Sequence, residues 1–525
     1  MNQMKRNPVT LTTRLLSVLV AVLAVLLSAT AHAAAPGITG PTFNLTAQPA
    51  YITQPDGQMV YSWGYGCNGA PSGFLPSDLL FTQTPNCNAM QVPGPTLILT
   101  EGQSVTVNLT NNLPASAGNT SILFPGFDVT TTGGVAGSLT QEAVPGTTVT
   151  YRFTASSPGT HAYYSGTQGD LQIEMGLYGA IIVIPSSVPA ACNSAVAAND
   201  QARGFWGEKN YRLATAAYDH SKSCYDREYL FQFSEMDPNI HLQAEAQVAA
   251  CGSKPGCSLN VPTEPYHPAY FMINGRSMPD DMDPNYAAQY PHQPYNGNPH
   301  MHPGEQVLLR IIGQGRWQHP FHEHGNHVRI LARDANLILT PDGTALAGPA
   351  LFTTTTTPGQ TMDGIFYYTG RGLNWDMYGH NPQSNDISAK LPCVPDANGY
   401  NTSNTSAINY FEWCQDHNKP LQTAPFGDVA GGGPATLPDP NILTNGPWYG
   451  GSPYLGPNAT VRATGPTGTT PPSGTIANPP GSEAGFAFMW HSHNEREITT
   501  NNIFPGGMLM MMLVDSREFL IDESN

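Results

Sequence analysis

The chain has 525 residues and a formal net charge of −17, with 21 Lys and Arg against 38 Asp and Glu. That acidic balance disfavours nucleic acid and anionic membrane surfaces as partners. Only 11% of residues are charged, while 53 glycines and 48 prolines interrupt short β-branched and aromatic runs, which points to an all-β sandwich protein with long loops.

At the start of the chain Lys5, Arg6 and Arg14 precede the apolar run LLSVLVAVLAVLLSA, and AHA ends at Ala33. This is the pattern of a secretory signal over 1–33, so the mature chain is expected outside the cytoplasm, periplasmic or extracellular. Losing the three cations of the signal takes the formal charge from −17 to −20. No later apolar run is long enough to span a bilayer, so no membrane span is expected after cleavage. Eight cysteines in an oxidising compartment suggest disulfides. The local pairing is Cys67 with Cys87, Cys192 with Cys224, Cys251 with Cys257 and Cys393 with Cys414, although sequence leaves other partners open.

From 35 to 185 the segments PTLILTEGQSVTVNLTNNL, TVTYRFTASSPGTHAYY and GLYGAIIVIP read as strands of a first Greek-key domain. Residues 186–225 read as a linker, and no strong helical periodicity is evident beyond the signal. A second series of strands begins with EYLFQFSEMD and fills 226–525, interrupted over 370–485 by an insertion rich in Gly, Pro, Asn and Thr. The halves echo each other. SILFPGF in the first parallels HPFHEHGNH in the second, and GTHAYYSG parallels FAFMWHSH, as an internal duplication would produce.

In HPFHEHG, His322 and His324 are two residues apart, so on a strand they share a face. His491 and His493 in WHSH do the same. Two such pairs on neighbouring strands converge four imidazoles, a donor set suited to copper or zinc. His319 and Ser492 then face the other way. The bland reading of each remaining candidate is stronger. His161 reads as a structural histidine, His300 and His302 as solvated residues before a strand, and MLMMML as a core strand.

These motifs, with PGPTLILTEG, GLYGAIIV and FMINGRSMP, resemble the multicopper oxidase family of tandem cupredoxin domains. The resemblance implies copper as cofactor and assigns His319 to the type 1 electron-entry copper, His322 to type 2, and His324, His491 and His493 to type 3. It also marks departures. Ser492 stands where the family has the type 1 cysteine, and Glu497 where it has a further histidine. In the first domain Leu123, Pro125, Tyr164 and Gly166 hold the family's ligand positions, and Ser165 excludes a substitute thiolate there. A hard, protonated hydroxyl does not replace a thiolate, so the resemblance implies an oxidoreductase with a reduced copper centre and no blue site, unlike a standard laccase. The alternative is a non-catalytic copper-binding or structural protein of the same fold. The substrate, a small molecule or a metal ion, is not specified, and a homo-oligomer is compatible with the family.

Overall fold

The computed structural model describes residues 35–76, 87–374, 393–417, 438–445, 451–455, 476–477, 485–517 and 519–521, with positions 419, 422, 427 and 433 besides. The expected signal over 1–33 and much of the expected insertion over 370–485 lie outside them. No helix among the described residues is long and apolar enough to cross a membrane.

Alternation builds the strands. In Ser104–Asn111 the buried apolar side chains are Val105, Val107 and Leu109, with Thr106 and Asn108 between them turned outward. Thr148–Thr154 alternates in the same way and pairs with it antiparallel, from Thr148 opposite Thr110 to Thr154 opposite Ser104. Residues of period two bury one face of each strand and leave the other wet. The first sandwich stacks two five-stranded sheets over Trp63, Tyr65, Tyr151, Tyr163 and Ile181.

The second sandwich repeats the pairing of the first. Gly159–Tyr164 lies antiparallel to Tyr178–Ile184, which lies parallel to Leu97–Thr100. Gly485–Ser492 lies antiparallel to Leu509–Asp515, which lies parallel to His300–Met301. In the opposing sheets, Thr42–Thr53 is antiparallel to Met59–Cys67 and parallel to Ser104–Asn111, and Arg227–Met236 stands in the same relation to Tyr270–Ile273 and Gln306–Gly313. The fold is all-β, a tandem pair of cupredoxin-like sandwiches. Met508, Met510 and Met512 fill the second core beside Phe488 and Trp490, so MLMMML is a packing strand.

Two helices depart from the sequence reading. Ala190–Trp206 forms inside the expected linker, and Pro238–Cys251 follows directly on a strand. The first buries Cys192, Val196, Asn199, Ala202 and Arg203, spaced as a helix requires, but small and polar side chains hide the stripe from a search for apolar periodicity. The second starts at a proline, with Asp237 capping the Asn239 N–H at 2.9 Å. All four disulfides join the cysteines paired above, and no cysteine is free.

Beside apolar contacts such as Ala162 and Ile182 with Leu230 and Ile312, the seam between the sandwiches carries a polar network. Asp363 of the second accepts hydrogen bonds from the Thr160 and Tyr218 hydroxyls at 2.5 Å each, and Arg310 bridges Glu228 and Thr160 at 2.8 and 3.2 Å.

Candidate metal centre

The His319–Glu323 strand lies between Thr353–Thr356 and Gly485–Ser492, antiparallel to both. Register sets Thr353, His322 and His491 in one row across three strands. His324 and His493 extend just past the strand ends on the same face. The ring centroids of His322 stand 4.5 Å from His324, 5.6 Å from His491 and 5.0 Å from His493. His324 and His491 are 5.1 Å apart, and their Nε2 atoms 3.1 Å. The structure thus brings together four of the five histidines that the sequence nominates.

Tautomers follow from the neighbours. His491 Nδ1 lies 2.7 Å from the Ser492 carbonyl oxygen, which only accepts, so Nδ1 carries the hydrogen and Nε2 presents its lone pair to the cluster. His322 Nδ1 lies 2.8 Å from the Thr353 hydroxyl, an acceptor or donor as required. Burial, with the nearby His491 and His493 rings, pushes the His322 ring down to about 4, and burial lowers His491 as well. Neutral imidazoles are the metal-binding form. Two nitrogens 3.1 Å apart can share one ion at ligand distances of about 2.0 Å. His322 and His324 are each 5% exposed, whereas His493 is exposed, so the group opens to solvent on one side.

The fifth nominated histidine, His319, stands among carboxylates rather than with the four rings. Its ring is fully buried, with Nε2 2.8 Å from Glu235 Oε2 and Nδ1 3.0 Å from Glu497 Oε2. Both ring nitrogens face carboxylate oxygens. Ser492 faces this same side and donates to Glu497 Oε2 at 2.5 Å. Glu323, between His322 and His324, is buried beside Thr354, and burial pushes its carboxyl up to about 8.

The remaining candidates are structural. His161 bonds the Ser157 carbonyl at 2.9 Å and packs on Phe127 at 4.4 Å between centroids. It borders a 330 Å³ crevice at the seam with Pro125, Asp334 and Gln360, away from the four rings. His300 and His302 are buried rather than solvated. His300 Nδ1 meets Asp515 at 2.7 Å, and His302 bonds Glu208 at 2.8 Å and the Asp515 carbonyl at 2.9 Å. Glu208, His302 and Glu305 come within ligand range of one another, but Arg203, Arg227 and Arg517 surround their carboxylates, and the group is an ion-pair network. In the first sandwich Leu123 and Tyr164 form a bridge where His322 and His491 pair in the second. A Cβ at Gly166 would strike the Leu123 side chain, so these positions carry packing and no imidazole. Sequence reading missed Thr353, Glu235 and Glu208, since nothing local marks a residue whose partner is dozens of positions away.

Residues 82–187 match the family model of multicopper oxidases. Over 122 residues the chain is 38% identical to Laccase-1 of Emericella nidulans, a stretch covering 22% of this chain and 18% of that one. Over 100 residues it is 40% identical to the L-ascorbate oxidase of Brassica rapa, covering 18% and 16%. The matched stretch is thus less than a fifth of these relatives' length. A blue copper oxidase of Nitrosomonas europaea aligns over 90% of this chain and 85% of its own, at 16% identity and a TM-score of 0.43.

Proposed function

We propose that this chain, whose residues 82–187 match the multicopper oxidase family model, is an exported copper-dependent oxidoreductase with a reduced centre, in which His322, His324, His491 and His493 hold one copper ion. The observation that carries the reading is the meeting of four imidazole rings across two strands, with centroid separations of 4.5 to 5.7 Å. Imidazole nitrogen suits copper. A copper bound there supplies one-electron exchange between its cuprous and cupric states. The protein holds the His322 and His491 rings neutral, fixes Nε2 of His491 inward through the Ser492 carbonyl, and leaves the His493 side open to solvent. Without a thiolate relay, a donor has to reach this side directly. Four-electron reduction of dioxygen is not expected from a single copper.

A second reading, a non-catalytic copper-binding protein of the same fold, is favoured by the loss of donors in the first sandwich. Metal analysis and an oxidase assay separate the two. The mature protein is expected to bind one copper per chain without an intense blue band, and the double variant His322→Ala, His491→Ala to bind none. Unchanged stoichiometry in that variant refutes the site. Turnover of phenols, cuprous or manganous ions supports the oxidoreductase, and bound copper without turnover supports the carrier.

A further inference from the structure

His319 lies among groups that the four-histidine centre does not use. Glu235 comes from the Arg227–Met236 strand and Glu497 from the turn that follows the Gly485–Ser492 strand. They reach the two ring nitrogens of His319 from opposite sides, at 2.8 and 3.0 Å. A neutral imidazole has one N–H and can donate to one of them only. Satisfying both requires one more proton in the pocket.

The surroundings put that proton on the ring. Glu235 Oε1 accepts the backbone N–H groups of Arg316 and Trp317 at 2.6 and 2.9 Å. Gly315, at φ +68°, lets the chain pass this close, since a Cβ there would collide with the Glu235 carboxylate. Glu497 Oε1 accepts from the Asn494 amide at 2.9 Å, and its Oε2 from Ser492 at 2.5 Å. Donors converging on a carboxylate favour its anionic form.

We propose that the pocket which the family uses for its type 1 copper holds a proton here, carried by His319 as an imidazolium locked between Glu235 and Glu497 and stapling three segments of the second sandwich. The copper does not fit these residues: Ser492 gives its hydroxyl hydrogen to Glu497, Glu497 brings a carboxyl group where a second imidazole is needed, and both nitrogens of His319 face carboxylate oxygens. The lock rests on its own contacts and is independent of the four-histidine reading.

The charged neighbours agree. Burial alone lowers a histidine, yet the hydrogen bonds and charges of Glu235 and Glu497 outweigh it and raise His319 to about 9. Beyond Glu235 stands the Tyr266 hydroxyl at 3.3 Å, then Glu174 at 2.7 Å from Tyr266, its carboxyl pushed up to about 8 by burial. The Arg316 guanidinium is turned away, to Glu264 at 2.6 Å and over the Tyr266 ring.

Ring-¹⁵N-histidine NMR of the copper-free mature chain tests this without reference to any metal. His319 is expected to show two protonated ring nitrogens at pH 7.5 and to lose one proton near pH 9. Glu497→Gln, which keeps the shape and removes the charge, is expected to move that midpoint down by a unit or more. A neutral His319 at pH 7.5, or a midpoint unmoved by Glu497→Gln, overturns the proposal. Should the variant fail to fold, the wild-type titration decides alone.

Discussion

Thr353, His322 and His491 lie in one row across three strands, and each flank of His322 does a different job. On one side the Thr353 hydroxyl fixes Nδ1; on the other His491 brings a second donor. A metal-binding histidine is usually oriented through its remote nitrogen, and losing such a partner typically costs 10- to 100-fold in affinity. Thr353→Val is therefore expected to weaken copper binding by about that factor in a competition titration, while Thr353→Ser retains it. Equal affinity in wild type and Thr353→Val removes the orienting role. The histidines themselves were readable because period two puts His322 with His324 and His491 with His493 on shared faces. Thr353 was not, since a threonine in TTTT carries no local mark, and neither was the fate of His319, whose carboxylates lie 84 and 178 positions away.

Strands were legible from alternation, as in SVTVNLTN, while the Ala190–Trp206 helix was not, because its buried stripe includes Asn199 and Arg203. Arg203 is tolerated inside because Glu305 meets it at 2.9 Å, and that glutamate lies 102 residues on. The second helix was hidden too, but its cap yields a prediction. Asp237 accepts from Asn239 N at 2.9 Å and from His267 N at 2.8 Å, so Asp237→Ala is expected to cost about 1–2 kcal/mol in a denaturant titration. Next to it, Glu174 gives a pH-dependent signature. Burial holds its carboxyl at about 8 in the fold, whereas an unfolded glutamate loses its proton near 4.3. The unfolded chain binds fewer protons between these values, so this group's contribution to stability falls as pH rises from about 4.3 to about 8. Glu174→Gln can still accept from Asp237 N and pair with Tyr266. It is expected to be more stable than wild type at pH 8, by at most about 5 kcal/mol, and indistinguishable at pH 4. A larger gap at pH 4 than at pH 8 would reverse the assignment.

At the scale of the whole molecule the two sandwiches have the same strand pairing but opposite fates at equivalent places. In the second, the paired positions are His322 and His491; in the first they are Leu123 and Tyr164. Tyr164 turns its hydroxyl towards Gly359 at the seam, and Leu123 fills the space beside Gly166. Restricting donors to one half limits the metal count, so elemental analysis is expected to give one copper per chain, and three or more would contradict it. The converted pocket around His319 sharpens the same test. Ser492→Cys restores a sulfur but leaves Glu497 in the second imidazole's place, so the copper-loaded single variant is expected to lack an intense blue band. Adding Glu497→His supplies the two imidazoles and one thiolate of a blue centre, and the double variant is expected to gain the band along with a second copper. Blue colour in Ser492→Cys alone would mean that His319 releases its proton to solvent and binds the metal through the freed nitrogen as soon as a thiolate is present, and that Glu497 is no obstacle to it.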